Sequence, residues 1–92
     1  MSAIAVALTG ADQTVSSTHC TYHGFTIRET GGTNPAEVRI YHNTANSGTL
    51  LETIRLAANE SAGAFYERGI LADKGIRVDI VSGAVEGSVR IG

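Results

Sequence analysis

Residues 76–91 read IRVDIVSGAVEGSVRI, and this stretch decides the fold class. In its first half, isoleucine and valine residues alternate with Arg77, Asp79 and Val81, which is the pattern of a strand with one buried face. The pair Ser82-Gly83 is typical of a turn. The second half alternates again, with Arg90 on the outward side. We therefore expect a hairpin whose outer face carries Arg77, Asp79 and Arg90.

Short alternating runs of the same kind occur along the rest of the chain. They are separated by loops rich in glycine, asparagine and serine, most clearly at 31–35 and 43–48. Spacing of this kind predicts about seven or eight short strands in an all-β fold. We expect an antiparallel β-sandwich with two sheets, either jelly-roll-like or immunoglobulin-like in outline.

The segment from Thr49 to Ala58 fits two structures. Leu50, Ile54 and Leu56 would share one face of a strand, whereas Leu50, Ile54 and the two alanines at 57 and 58 would share one face of a helix. A strand is favoured because both neighbouring segments are predicted to be strands and the loops are short.

Length and composition predict one small domain over residues 1–92, in which residues 1–23 form an N-terminal arm or an edge segment. The single cysteine, Cys20, excludes an intramolecular disulfide, and a core this small gains from self-association. The net charge is −2, and the seven basic residues are spread singly along the chain, so we expect no nucleic-acid partner. The first eight residues have neither the basic start nor the apolar length of a signal peptide or membrane span, so we expect no membrane partner and a cytosol-like compartment.

One cluster, His19, Cys20 and His23, contains residue types that bind zinc. In a strand, the two histidines would lie about 13 Å apart, and the cysteine would face the other way. A metal site would therefore need further ligands, for example His42. We predict no metal and no other cofactor, and treat the three residues as weak candidates for metal ligands.

The aromatic residues divide by predicted face. Phe25 and Phe65 are expected in the core. Tyr41 and Tyr66 are expected on outward faces, where aromatic side chains suit a subunit interface. Together with Arg77 and Arg90, they are the interface residues that the sequence predicts.

No catalytic residue is predicted, and we expect no enzymatic activity. The carboxylates lie among polar or basic neighbours, and most of them are expected to be solvated. The stretch 83–88 lacks the lysine and the strand-to-helix context of a phosphate-binding loop.

From Phe25 onward, about two thirds of the chain resembles small phage-encoded virion proteins. The resemblance rests on turn and core signatures: Val38-Arg39-Ile40-Tyr41, Ser47-Gly48-Thr49-Leu50-Leu51, Ile54-Arg55-Leu56-Ala57-Ala58-Asn59-Glu60-Ser61, Gly69-Ile70, Gly75-Ile76-Arg77-Val78-Asp79 and Ser82-Gly83-Ala84-Val85-Glu86-Gly87-Ser88-Val89. The segment through His23 has no counterpart in that pattern.

This resemblance implies a structural protein of a tailed phage, namely a capsid decoration protein that stabilises the shell as an oligomer. Its expected partners are further copies of itself, in a trimer, and the major capsid protein or another virion protein. Its expected location is the virion, after assembly in the host cytoplasm. The alternative is a receptor- or glycan-binding module of a tail or fibre, acting through Tyr41 or Tyr66.

Overall fold

A computed structural model describes residues 3–92, which form eight strands and no helix. The strands are β1 (Ile4–Ala7), β2 (Gln13–Ser16), β3 (Cys20–Glu29), β4 (Ala36–His42), β5 (Thr49–Leu56), β6 (Ser61–Ala72), β7 (Ile76–Ser82) and β8 (Val85–Ile91). The ambiguous segment at 49–58 is therefore a strand, as predicted.

The strands form two four-stranded antiparallel sheets. The first sheet has the order β1-β8-β3-β6, and the second has the order β2-β7-β4-β5. Each strand of the first half pairs with its counterpart in the second half: β1 with β8, β2 with β7, β3 with β6 and β4 with β5. This nested pairing is that of a jelly roll, so the β-sandwich prediction is confirmed and the immunoglobulin-like outline is not the one adopted.

The hairpin expected over residues 76–91 does not form. Both halves are strands, but β7 pairs with β2 and β4, whereas β8 pairs with β1 and β3. The turn at Gly83 thus carries the chain from one sheet to the other. Alternation specifies which face of a strand is buried and does not specify the neighbouring strand, so the same pattern fits a hairpin and two strands in different sheets.

The core lies between the sheets and is built from inward-facing residues of both. Its fully buried members include Tyr22, Ile27, Ile40, Val78 and Val89. Phe25 is buried, as predicted. Phe65, which the sequence placed in the core, is 58% exposed and points outward.

Residues 3–23 contribute to both sheets. β1 lies at the edge of the first sheet and β2 at the edge of the second. From Cys20 onward the chain is β3, which lies between β8 and β6.

One carboxylate that the sequence analysis treated as solvated is buried. Glu29 is 2% exposed and accepts hydrogen bonds from the backbone N–H groups of Gly31, Gly32 and Asn59, at 2.6, 2.8 and 3.0 Å. These bonds lower the pKa of Glu29, that from Asn59 most strongly. The carboxylate thereby ties two loops together at one end of the sandwich.

Candidate protein-binding surface

The outer face of the first sheet carries two exposed apolar side chains on its edge strand β6. Phe65 lies opposite Gly24 of β3, and Leu71 lies opposite Thr21. Phe65 is 58% exposed and Leu71 is 59% exposed. Because their partners on β3 are three residues apart, the two side chains are separated by about 10 Å along the sheet. We call Phe65 and Leu71 the β6 patch.

A large bulge lies between these two residues, both of which face outward. Residues 66–69 of β6 lie opposite the single residue His23 of β3. The His23 ring is buried against the bulge, donates from Nδ1 to the carbonyl oxygen of Tyr66 at 2.9 Å and stacks on Phe65, with ring centroids 5.9 Å apart. His23 therefore supports the position of the exposed Phe65 ring.

Gly69 lies in the bulge at a position where no side chain fits. Its φ is +73°, and a Cβ atom would lie 2.2 Å from Cγ2 of Thr21 and 2.9 Å from the His23 ring. Glycine adopts this left-handed conformation without the steric cost that other residues have.

Arg90 lies beside the β6 patch. Gly24 pairs with Phe65 on one side and with Arg90 of β8 on the other, so the three residues form one row across the outer face. A Cβ atom on Gly24 would lie 2.0 Å from the carbonyl oxygen of Ala64, so this position must be glycine. The row therefore places the Arg90 side chain and the Phe65 ring on opposite sides of Gly24, which has no side chain. Arginine and aromatic residues are the types most often found at the energetic centres of protein interfaces.

A shallow depression lies further along the same face. Its volume is about 510 Å³, and it is lined by Leu8, Thr26, Ile27, Arg28, Ser61, Glu86 and Gly87. Arg28 and Glu86 form an exposed ion pair of 2.6 Å across it. The outer face of the first sheet thus offers both projecting apolar side chains and a recess.

On the outer face of the second sheet, Glu37, Arg39 and Arg77 are each engaged with neighbouring side chains. Glu37 contacts Arg39 at 2.9 Å and Arg55 at 3.4 Å. Arg77 donates to Asn46 at 2.9 Å and to Thr14 at 3.0 Å. Side chains engaged in this way are less available to a partner than those of the β6 patch.

The four predicted interface residues do not form one surface. Tyr41 and Arg77 belong to the second sheet, whereas Tyr66 and Arg90 belong to the first. Tyr41 pairs with Arg77 and Leu50 and so lies on an outer face, as predicted, but it is covered there and is only 8% exposed. Tyr66 departs from the prediction, because it follows the outward-facing Phe65 in the strand and so faces inward, where it packs against the core. Of the four, Arg90 lies in the same row as Phe65 of the β6 patch.

The three candidate metal ligands have separate environments. Cys20 is a buried thiol in the core, His23 supports the bulge and His19 is exposed. Within residues 3–92, no group of three or more His, Cys, Asp or Glu side chains is arranged to hold a metal ion.

Sequence reasoning missed Phe65 as a surface residue because it assigned a large apolar ring to the core by residue type. The local signal was the alternation of residues 61–66, in which Phe65 shares its face with Ser61 and Gly63.

No protein-family model matches this chain, and no curated protein or solved structure matches it. No helix within residues 3–92 is long and apolar enough to cross a membrane.

Proposed function

We propose that this protein is a non-enzymatic structural protein of a tailed-phage virion. In this role it is a capsid decoration protein that binds the major capsid protein as a homotrimer and strengthens the shell. The observation that carries the proposal is the β6 patch beside Arg90, on the outer face of the first sheet. The resemblance of residues 25–92 to small virion proteins is the reason for proposing a phage virion as the assembly.

The physical argument for a protein partner is the exposure of large apolar groups. Phe65 and Leu71 are both more than half exposed. Contact with another protein would remove this apolar surface from water, at about 25 cal/mol per Å². Aromatic residues are also enriched at interfaces relative to the remaining surface.

The argument for a stabilising role is thermodynamic. A partner that binds only the folded, assembled shell stabilises the shell by mass action. A chain of 92 residues without a disulfide is itself stabilised when it binds neighbours. In a trimer with closed symmetry, each copy contacts two other copies and the shell. Trimer formation on the shell therefore stabilises both the protein and the shell.

The alternative of a glycan-binding module is not proposed. It depended on exposed rings at Tyr41 and Tyr66, but Tyr41 is 8% exposed and Tyr66 packs against the core.

The test combines native mass with shell binding. Light scattering after size exclusion gives the mass of the free protein, and co-sedimentation with undecorated shells of the encoding phage gives binding. We expect a trimer or a monomer that trimerises on shells, with saturable binding. Phe65→Ser should weaken binding by at least about tenfold, as expected for an aromatic anchor at the centre of an interface.

The matched control is Val81→Ser, because Val81 is 45% exposed and belongs to the second sheet. This variant should bind shells as the wild type does. The proposal is wrong if the wild type does not bind shells, and the choice of face is wrong if Val81→Ser weakens binding as much as Phe65→Ser.

A further inference from the structure

The ladder between β3 and β6 shows which backbone groups of the edge strand β6 are bonded. The N–H group of Glu29 donates to the carbonyl oxygen of Glu60 at 2.8 Å, so residues 29 and 60 are a hydrogen-bonded pair. Hydrogen-bonded and non-hydrogen-bonded pairs alternate along an antiparallel ladder. In the same register, Ala62 and Ala64 are therefore the next residues of β6 whose backbone groups bond to β3.

The residues between them direct their backbone groups to the free side of the strand. Ser61, Gly63 and Phe65 each have an N–H group and a C=O group that point away from β3. On that side β6 has no neighbouring strand, because it is the last strand of the first sheet. All three residues are exposed. Residues 61–65, which we call the β6 edge, thus present donors and acceptors to solvent at the spacing of a β-ladder.

The β6 edge lacks the features that protect the other edge strands from pairing. Strands β1 and β2 have four residues each. Strand β5 carries Glu52 and Arg55, and its ladder is interrupted by a bulge at Leu51. By contrast, residues 61–65 have neither a charge nor a proline, and the bulge of β6 begins only after them. Natural edge strands are protected by shortness, charge, proline or a bulge, so an edge without these features is suited to pairing with another strand.

We propose that the β6 edge binds an extended segment of the major capsid protein by β-strand addition. In this mode of recognition, main-chain hydrogen bonds supply the affinity, and side chains at alternate positions supply the specificity. The inference deepens the proposed function, on which it rests, by naming the form in which the partner is bound.

The side chains along the β6 edge specify the chemistry of the bound segment. Gly63 has no side chain and lies on the same face as the Phe65 ring, which is 58% exposed. An apolar side chain of the added strand opposite Gly63 would cover this position and contact the Phe65 ring diagonally. Since residues 61–65 have no charge, the segment needs none for complementarity. We therefore expect an uncharged segment with an apolar residue opposite Gly63.

The shape of the β6 edge favours a single extended segment over a second copy of this chain. The edge is bounded by the turn at 57–60 and by the bulge at 66–69. In an antiparallel pair of two β6 edges centred on Gly63, the bulge of each copy would lie beside the turn of the other. Such a pair also has two-fold symmetry, so it yields a dimer and does not close the proposed trimer.

The test is hydrogen–deuterium exchange of the whole protein, free and bound to undecorated shells of the encoding phage, measured residue by residue with mass spectrometry. In the free protein, the amides of Ser61, Gly63 and Phe65 have no acceptor on β3 and should exchange at least about tenfold faster than those of Ala62 and Ala64. On shells, the three fast amides should slow by at least about tenfold. Binding to shells without this slowing would overturn the proposal.

A pair of variants at Ser61 tests whether the backbone forms the contact. Ser61 is the first residue of β6, a position where an edge strand tolerates proline, so Ser61→Pro should keep the wild-type Tm while it removes one N–H donor of the β6 edge. Co-sedimentation with shells should show binding weakened by at least about tenfold. Ser61→Ala is the matched control, because it removes the hydroxyl group and keeps the N–H group, and it should bind as the wild type does. Equal binding by Ser61→Pro and the wild type contradicts the proposal.

Failure of this proposal is distinguishable from failure of the proposed function. If the wild-type protein binds shells and the three amides still exchange fast, the β6 edge is not the contact and the decoration role stands. If no shell is bound, the decoration role is wrong, and the capsid protein is excluded as the partner of the β6 edge. Slowing of the same amides in the free protein as its concentration rises would assign the β6 edge to a second copy and overturn the choice of partner.

Discussion

The imidazole of His23 donates a hydrogen bond to the carbonyl oxygen of Tyr66, at 2.9 Å, and so joins two adjacent strands where their ladder is interrupted. Backbone groups inside a bulge lose their ladder partners, and a side chain that replaces them determines whether the bulge is stable. His23 has this role for the β6 patch.

His23→Ala should lower the free energy of unfolding by about 1–3 kcal/mol, because the Tyr66 carbonyl loses its donor and a buried ring is removed. Urea denaturation measures the change. His19→Ala is the control, since His19 is exposed, and should stay within about 0.5 kcal/mol of the wild type. Equal effects of the two substitutions would show that the bulge does not depend on His23.

Gly69→Ala should be destabilising for two separable reasons. The left-handed backbone costs a residue with a Cβ atom about 1–2 kcal/mol, and the clash with Cγ2 of Thr21 adds to that cost. Thr21→Ser removes the clashing methyl group, so Gly69→Ala should cost less in a Thr21→Ser background. A double-mutant cycle by urea denaturation measures this difference, and strict additivity would contradict the contact.

Glu29→Gln should lower Tm by at least about 5 °C at neutral pH, because the amide cannot accept all three backbone N–H bonds. These bonds hold the pKa of Glu29 below its usual value of 4.5. The stabilisation is therefore present above that value and is lost as the pH falls through the lowered pKa of the folded protein.

Melting curves of wild type and Glu29→Gln should accordingly converge in acid. The gap between the two Tm values is the quantity to follow from pH 7 downward. A gap that stays constant with pH would mean that the ionised carboxylate is not the group that holds the loops.

Asp79→Asn and Asp12→Asn should change stability in opposite directions at pH 7. Burial and the nearby Asp12 raise the pKa of Asp79, so its contribution to stability is present in acid and is lost as the pH rises through the folded-state pKa. Removing its charge should raise Tm by a few degrees at pH 7, and this gain should shrink toward acid.

Asp12 is the matched comparison. Its bonds from the Asn46 side chain and the Ile80 N–H, both 2.8 Å, lower its pKa. Asp12→Asn should therefore lower Tm at pH 7. A change of the same sign in both variants, measured by thermal melting, would contradict the assignment.

The sequence predicted the strands well because alternation reports burial one residue at a time. Ile76 and Val78 are fully buried and Arg77 faces outward, as the pattern required. The neighbouring strand with which each strand pairs could not be predicted from alternation, because pairing depends on contacts across the whole chain. The neighbours of β7 and β8 illustrate this limit.

The surface was harder to predict than the core because the face on which a residue lies does not fix how exposed its side chain is. Tyr41 pairs with Arg77 on the outer face of the second sheet and is 8% exposed, whereas Phe65 pairs with Gly24 on the outer face of the first sheet and is 58% exposed. The buried carboxylate of Glu29 was missed for a related reason, since its donors are backbone N–H groups of loops.

The nested pairing of the strands has a consequence for the order in which the protein folds and opens. His42 meets Thr49 across a short loop, whereas Ile4 meets Ile91 only after nearly the whole chain has been placed. Loop-closure entropy rises with the length of chain enclosed, so β4 and β5 can associate early, and β1 is expected to join β8 last. Because β1 is also a short edge strand, its amides should be the first of the ladder to exchange with solvent hydrogen in the native protein.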